Sequence, residues 1–459
     1  MAALPAAAAL SSPAYALGGL QSAVAGPAAG LAAQDPGAVL ASLRFGMFVH
    51  FNPSSVVGRE IGWGRNAFRP GEAPGNQYHD PSVKSDPVYD AAYRDFLPAE
   101  DWAPRLAAKA KAVGMNYLVF TTKHHDGYPN FRADNVTRSA YPDYADTPMG
   151  RSGRDLTREI AEAARSAGLK IGFYYSQRDW TQPDYGKADY ATYNGYMRQH
   201  LDQLLTQYGK IDFMWYDSIP YADRAVFQPP SLYDVPRSLQ PGILVNDRAY
   251  TNMGYQPLPA ELAGDFDTPE GHVGSFNVHR PWESCISVTP NGWSWQPNAA
   301  LTDYPTALRM VSGTAVGGGN LLLNVPPMKT GYLEDRVNSV LDQVGSWMNY
   351  HERAVVDTRG GPYRSNQVAG ATYRDDYLYL HIFDDFRTSK LRLPRLGAKV
   401  TSAACLDGRR LPFTETATGE VLLDLSGYSR GAPVFVVELR VDRNLTIDDV
   451  TSDGAAWAS

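Results

Sequence analysis

From about residue 40 the chain alternates short apolar runs with amphipathic stretches of helical period. Arg44–Val49, Asn116–Thr121, Lys170–Tyr175, Ile211–Tyr216, Gly242–Asn246 and Asn320–Val325 read as strands, with Ile286–Val288 as a weaker candidate. Trp102–Val113, Asp155–Ala167, Tyr190–Tyr208, Asp303–Ser312 and Leu333–Tyr350 read as helices, Asp155 standing at the start of one and Gly168 at its end. Strands alternating with helices predict a parallel α/β fold. About 300 residues at this rhythm, with polar and aromatic residues just past each strand, predict a (β/α)8 (TIM) barrel in which one or two units lack a regular helix. A doubly wound sheet is the competing arrangement.

After residue 355 the pattern changes. Tyr377–Phe383, Lys390–Leu393, Val421–Leu425 and Val434–Leu439 are short runs separated by Gly, Asp and Pro turns, with no helical stretch among them. They predict a C-terminal antiparallel β-sandwich that supports the barrel, carbohydrate binding being its alternative role. The chain therefore divides into a leader or disordered segment at 1–40, a barrel at 41–354 and a sandwich at 355–459.

Composition narrows the function. A net charge of −7, from 42 basic and 49 acidic side chains, leaves no basic footprint for nucleic acid. Aromatic residues reach 12%, with 41 Gly and 33 Pro, as in loop-rich proteins with aromatic clefts. No Lys or Arg precedes Arg44, and an apolar run ends near Ala14-Tyr15-Ala16, which resembles a signal-peptide cleavage site without its basic start. This reads as a secretory leader or a disordered one, and points to a secreted or periplasmic protein. The run is too short and broken to span a bilayer. Cys285 and Cys405 lie too far apart in sequence to suggest a disulfide framework.

Five strand ends carry chemistry in chain order: His50, then Lys123-His124-His125-Asp126, Gln177-Arg178-Asp179, Trp215-Tyr216-Asp217, and Asn246-Asp247-Arg248. In a parallel barrel these positions converge on one face. His50, His124, His125 and Asp126 could bind zinc, but a strand continuing through 124 and 125 would point those rings to opposite sides, and no HExxH or cysteine cluster supports them. Imidazoles equally suit a polyhydroxylated ligand, or serve as structural residues. Asp217, behind two aromatics, suits attack on an anomeric carbon, with helix capping as the plain alternative. Glycoside hydrolysis needs a second carboxyl group. Glu261, Glu270 and Glu283 are the candidates, all in the Gly/Pro-rich excursion past the fifth strand. Gly317-Gly318-Gly319 precedes its strand and matches no nucleotide motif, so it reads as close packing at the barrel wall.

On Gly46–His50, Lys123–Gly127, Gly172–Trp180, Trp215–Asp217, Asn246–Arg248, Trp282–Trp295 and Gly318–Pro327, the chain resembles the α-L-fucosidases of glycoside hydrolase family 29, over roughly residues 42–360. The resemblance implies a retaining, exo-acting hydrolase of terminal α-L-fucosyl residues, needing neither cofactor nor metal, with Asp217 as nucleophile. It implies His50, His124 and His125 as ligands of sugar hydroxyls and Trp215 as a pocket wall. Arg248 falls beside the nucleophile, with Glu60 and Trp63 as a further polar–aromatic pair. Glu270 matches one subgroup's Thr-Pro-Glu acid/base motif. Glu283, in a Trp-Glu pair shared by many members, is second choice, either facing substrate or structural. Retention requires the two carboxyl groups about 5–5.5 Å apart, and the acid must begin protonated. The implied partners are fucosylated oligosaccharides or glycoconjugates, with no nucleic acid and no membrane insertion.

The sequence departs from the family at Phe51-Asn52, where many members have Trp-Gly, and at Tyr216-Asp217-Ser218, where Phe-Asp-Gly is commoner. Glu60 and Trp63 are separated where they are often adjacent. Such changes leave an α-L-galactosidase as an alternative, because the two sugars differ only by a hydroxyl on C6. A fucose-binding protein without catalysis and a metal-dependent hydrolase are the other rivals.

Overall fold

The computed structural model describes residues 35–65, 86–133, 141–185, 191–217, 229–249, 263–427 and 432–450. The Ala14–Ala16 segment and Glu261 lie outside the described residues. Everything described belongs to one compact unit. Seven parallel strands form the principal sheet: β1 (Phe45–Val49), β2 (Tyr117–Lys123), β3 (Lys170–Ser176), β4 (Phe213–Asp217), β5 (Leu244–Val245), β6 (Glu283–Ser287) and β7 (Asn320–Asn324), in the order β5-β4-β3-β2-β1-β7-β6. Their near-continuous apolar character follows from burial on both faces.

An irregular eighth stave, residues 265–271, closes the ring. On one edge Asp265 N donates to Val245 O (2.7 Å), and Phe266 O accepts from Asp247 N (3.0 Å). On the other, Asp267 O accepts from Glu283 N (2.8 Å), Pro269 O accepts from Cys285 N (3.0 Å), and Gly271 N donates to Cys285 O (2.9 Å). Pro269 is tolerated because its carbonyl makes the ladder bond and no N–H is needed there. Helices Trp102–Ala112, Leu156–Ser166, Ala191–Thr206, Pro229–Leu239, Tyr304–Gly317 and Asp335–Val355 cover the outside. Among the described residues no helix flanks the eighth stave, and the barrel is (β/α)8-like.

The barrel is filled, not hollow. Phe48, Tyr117, Val119, Tyr174, Phe213, Trp215, Leu244, Phe266, Cys285 and Leu322 form its interior cluster, joined by Leu40 and Leu43 of a short helix, Pro36–Leu43, below β1. Asp35 caps that helix through Gly37 N and Ala38 N, so ordered structure begins before residue 41. One carboxylate lies within this interior. Glu283 accepts from Trp215 Nε1 (3.0 Å) and Tyr117 OH (2.5 Å).

The C-terminal strands are β8 (Arg359–Gly360), β9 (Ala369–Arg374), β10 (Tyr377–Phe383), β11 (Lys390–Leu393), β12 (Val400–Cys405), β13 (Phe413–Glu415), β14 (Val421–Asp424) and β15 (Val434–Val441). They make two antiparallel sheets, β12-β15-β10-β9-β8 and β11-β14-β13, around a second core. The outer face of the larger sheet packs on the barrel: Tyr379, Phe383, Val434 and Val436 share the main core with helices Tyr304–Gly317 and Asp335–Val355. Trp347 Nε1 donates to Val434 O (3.1 Å), and His381 Nδ1 meets Ser312 Oγ (2.7 Å) across the same seam. Both cysteines are buried and free. Among the described residues no helix is long and apolar enough to cross a membrane.

The glycine run ahead of β7 is a close-packing device. A Cβ on Gly319 would lie 2.2 Å from the Trp282 ring. Gly319→Ala is expected to lower stability by about 1–3 kcal/mol, read as a fall in thermal midpoint. An unchanged midpoint would show that Trp282 can move aside. Glu283 gives a second prediction, on pH. Burial raises its pKa from 4.5 to about 7, the two donated hydrogen bonds opposing that shift. Between those values the folded state keeps a proton the unfolded chain has lost, so stability falls as pH rises through this window. A glutamine in its place cannot ionise. The midpoint of Glu283→Gln minus that of wild type should therefore increase from pH 4.5 to pH 8, by the equivalent of about 2–3 kcal/mol. A difference that is flat with pH would contradict it.

Candidate active site

The C-terminal ends of β1–β5 converge as the barrel rule requires. Asp217 is the last residue of β4, in register beside Ser176 of β3. Its backbone N–H donates to Gln177 Oε1 (2.9 Å), whose amide nitrogen in turn donates to Arg248 O (3.1 Å) and Ala249 O (3.3 Å). One glutamine thus joins the turns after β3, β4 and β5. Tyr174 OH donates to Asp217 Oδ2 (2.6 Å), Arg248 Nη1 to Oδ1 (3.1 Å), and His125 Nε2 lies 3.7 Å from Oδ2. Burial alone would raise the Asp217 pKa, but Arg248 and the Tyr174 hydrogen bond hold it below the usual carboxylate range.

The two adjacent histidines do not point apart. β2 ends at Lys123, and a register shift against β3 between Thr121 and Lys123 changes its phase. Lys123 pairs with outward-facing Tyr175, its ammonium 4.7 Å from that ring and 3.7 Å from Asp179. The chain then turns, Gly127 N donating to His124 O (3.0 Å). Gly127 has φ +77°, and a Cβ there would lie 2.0 Å from Asp179 Oδ1, so only glycine makes this turn. The His124 and His125 rings consequently lie side by side, centroids 4.0 Å apart. His124, His125 and Asp217 each bring a donor atom within 4.8 Å of the others. Asp126 is turned away from them, accepting from Asn52 Nδ2 (2.8 Å), Tyr89 OH (2.5 Å) and Tyr128 N (3.2 Å). The four-residue set His50, His124, His125 and Asp126 is therefore not one site.

Burial keeps all three imidazoles neutral near pH 7: it lowers His50 to about 4 and holds His124 and His125 well below 6.5. The His50 tautomer follows from its neighbours. Asn324 Nδ2 donates to Ser287 Oγ (2.9 Å) and Trp293 O (2.7 Å), which aims Oδ1 at His50 Nδ1 (2.8 Å). His50 then carries its proton on Nδ1 and leaves Nε2 as an acceptor. Neutral rings of fixed tautomer suit uncharged hydroxyl groups.

Arg248 links the two sides of the mouth. It lies on the short turn Asp247–Ala249, with its Cζ 4.6 Å from the centroid of the Trp215 ring. Nε donates to Thr268 Oγ1 (2.7 Å) and Nη2 to Thr268 O (2.9 Å), both on the eighth stave. Nη1 donates to Asp217 Oδ1 (3.1 Å) and to Glu270 Oε2 (2.7 Å). Laid end to end those contacts are shorter than the roughly 6.5–9.5 Å separating the carboxyl pair of inverting glycosidases, and compatible with the retaining distance.

The remaining expected residues fall in two groups. Trp215 stacks with Tyr174 (5.7 Å) and meets Phe48 (5.0 Å), while Trp63 meets His125 edge-on (5.3 Å) beside Trp180. Trp215 thus lies against Arg248 and Trp63 against His125. The two glutamates are engaged by other partners. Glu60 accepts from Trp293 N (2.8 Å), Ser294 N (3.4 Å) and Gln296 Nε2 (3.0 Å), fixing the loop whose Trp293 ring lies 5.0 Å from His50. Glu283 lies inside the barrel at the indole of Trp215. The sequence reading names Gln177 at a strand end and Thr268 within Thr-Pro-Glu without giving either a role, and singles out none of Tyr174, Trp293 and Asn324. Inward alternation along β3 and β7 was the available signal for Tyr174 and Asn324.

The sequence model of the α-L-fucosidase family matches residues 31–353. Tissue α-L-fucosidase of Bos taurus is 26% identical over 343 residues, covering 68% of this chain and 67% of that protein. An α-L-fucosidase of Branchiostoma floridae is 26% identical over 403 residues, 81% and 84% of the respective chains. Among solved structures, α-L-fucosidase isoenzyme 1 from Paenibacillus thiaminolyticus superposes with a TM-score of 0.75 at 28% identity, covering 89% of this chain and 99% of its own. An α-L-fucosidase from Bacteroides thetaiotaomicron, trapped as a covalent intermediate, shares the fold with a TM-score of 0.73 at 21% identity, covering 89% and 96%. With a filled parallel barrel, a carboxylate at the end of its fourth strand, and a family match over most of its length, the chain belongs to the α-L-fucosidase family of glycoside hydrolases.

Proposed function

We propose that this hydrolase removes terminal α-L-fucosyl residues from fucosylated oligosaccharides or glycoconjugates by double displacement, with Asp217 as nucleophile and Glu270 as acid/base. The observation that carries this reading is the sharing of Arg248 Nη1 between the two carboxylates, which keeps the bonded oxygens closer together than an inverting pair requires and so supports retention. Asp217 is suited to attack because its neighbours hold it ionised. Glu270, on the rim of the mouth with 29% of its side chain exposed, is suited to exchange protons with a leaving oxygen and then with water.

In the first step an Asp217 oxygen forms a bond to C1 as the bond from C1 to the leaving oxygen breaks, and Glu270 gives that oxygen its proton. In the second, Glu270 takes a proton from water, the water oxygen bonds to C1, and Asp217 is released with the α configuration restored. His50, His124 and His125 hold hydroxyl groups, Trp215 and Trp63 wall the pocket, and Arg248 balances charge on Asp217. Glu60 and Glu283 act at one remove, through Trp293 and Trp215. The apolar start of the chain supports export to the periplasm or the medium, which fractionation of the producing cells would test.

Hydrolysis of an aryl α-L-fucoside should fall on the order of 10^4-fold in Asp217→Ala. Azide should then give β-fucosyl azide with Asp217→Ala, replacing the missing nucleophile, and α-fucosyl azide with Glu270→Ala, intercepting the glycosyl-enzyme. Full activity in Glu270→Ala would transfer the acid/base role to Glu261, since Glu283 does not face the pocket. Preference for an aryl α-L-galactoside would change the sugar.

A further inference from the structure

The two segments that carry Arg248 and Glu270 are locked together at a single hydroxyl group. Thr268 Oγ1 donates to Asp247 Oδ1 (2.6 Å) and accepts from Arg248 Nε (2.7 Å), while Thr268 O accepts from Arg248 Nη2 (2.9 Å). Thr268 is fully buried, and Asp247 and Arg248 nearly so. With two nitrogens of the guanidinium fixed to one residue, the third is directed at Asp217 and Glu270. Phe266, Thr268 and Glu270 are alternate residues of one extended stave, with Phe266 in the barrel interior, so the backbone that holds Arg248 also aims Glu270.

We infer that Thr268 is a positioning residue for proton transfer, keeping Glu270 at the leaving oxygen by holding Arg248 between the carboxylates. The inference rests on Glu270 being the acid/base. The hydroxyl has a second effect: it stands between Asp247 and Arg248. Valine has the same shape and the same suitability for an extended stave, but gives Asp247 no donor and Arg248 Nε no acceptor. The guanidinium then loses one of the acceptors that fix its orientation. Arg248 turns from its place between the carboxylates and the acid/base loses its anchor, while Asp217 keeps the hydrogen bond from Tyr174 and the one its backbone N–H donates to Gln177 Oε1.

A defect confined to proton donation has a signature that general loosening lacks. Leaving groups that depart as stable anions need no acid, and poor ones do. The test measures kcat/KM for wild type, Thr268→Val, Thr268→Ser and Glu270→Gln on a series of aryl α-L-fucosides running from dinitrophenyl to unsubstituted phenyl. Thermal midpoints are recorded for each variant. Thr268→Val should lose about 10- to 100-fold on the phenyl substrate and under about 3-fold on the dinitrophenyl one. Glu270→Gln should show the same trend more steeply, and Thr268→Ser, which restores the hydroxyl, should return to near wild-type values. Equal losses across the series in Thr268→Val, with a steep series in Glu270→Gln, would overturn the role of Thr268 alone. A flat series in Glu270→Gln would overturn the assignment of Glu270, and the role of Thr268 with it. Failure of Thr268→Ser to recover would also refute the hydroxyl as the cause.

Discussion

A buried guanidinium organises the mouth of this barrel. Taking an unpartnered cation out of water carries a penalty of several kcal/mol, so Arg248 is stable only where acceptors surround it. Those acceptors come from separate parts of the chain: the end of β4, and the carbonyl, hydroxyl and carboxylate groups of the eighth stave. The Trp215 ring face supplies a further electron-rich surface. Satisfying one charge therefore brings two carboxylates together. Neutral histidines complete the site, since three more cations beside Arg248 would undo the balance. Burial secures that neutrality without a dedicated partner for each ring.

The barrel was legible in the sequence because its strands are buried on both faces and read as unbroken apolar runs. Where burial gave no such run, the reading failed. The eighth stave, Asp265-Phe266-Asp267-Thr268-Pro269-Glu270, has a single large apolar residue and a proline, and becomes extended only because β5 and β6 offer free edges. Helix Pro229–Leu239 has proline at 229, 230 and 236, which hides its period. Strands β9 and β12 are mostly Ala, Gly, Thr and Ser, with only Tyr373, Val400 and Cys405 as larger buried side chains, so neither reads as an apolar run. Within the site, His50, Asp217 and Arg248 could be located from strand ends alone. The pairing of His124 with His125 could not, because it depends on a register shift. Nor could the placement of Glu60 and Glu283, whose partners lie more than fifty positions away in sequence.

The departures from the family pattern now have physical addresses. Phe51 and Tyr216 belong to the core between barrel and helices, not to its interior. Phe51 packs on Phe96 (5.1 Å) and Trp102 (5.2 Å). Asn52 donates to Asp126 and accepts from Ser54 N (2.8 Å), so it braces the turn after His125 from behind. Phe51, Asn52 and Tyr216 therefore alter how the staves are supported, whereas Trp63 meets His125 at the site itself. Ser218 lies outside the described residues.

The seam between the barrel and the C-terminal sheets has a consequence for how the molecule comes apart. Helices Tyr304–Gly317 and Asp335–Val355 bury one face on the barrel and share the same core with β10 and β15. Thr358 O takes two hydrogen bonds from Arg44, the residue that leads into β1. A chain ending before the sheets would expose an apolar helical surface to solvent and leave that arginine short of acceptors. The sheets are thus load-sharing walls of the catalytic body, and a protease nick between them and the barrel would leave two halves held together by their common core.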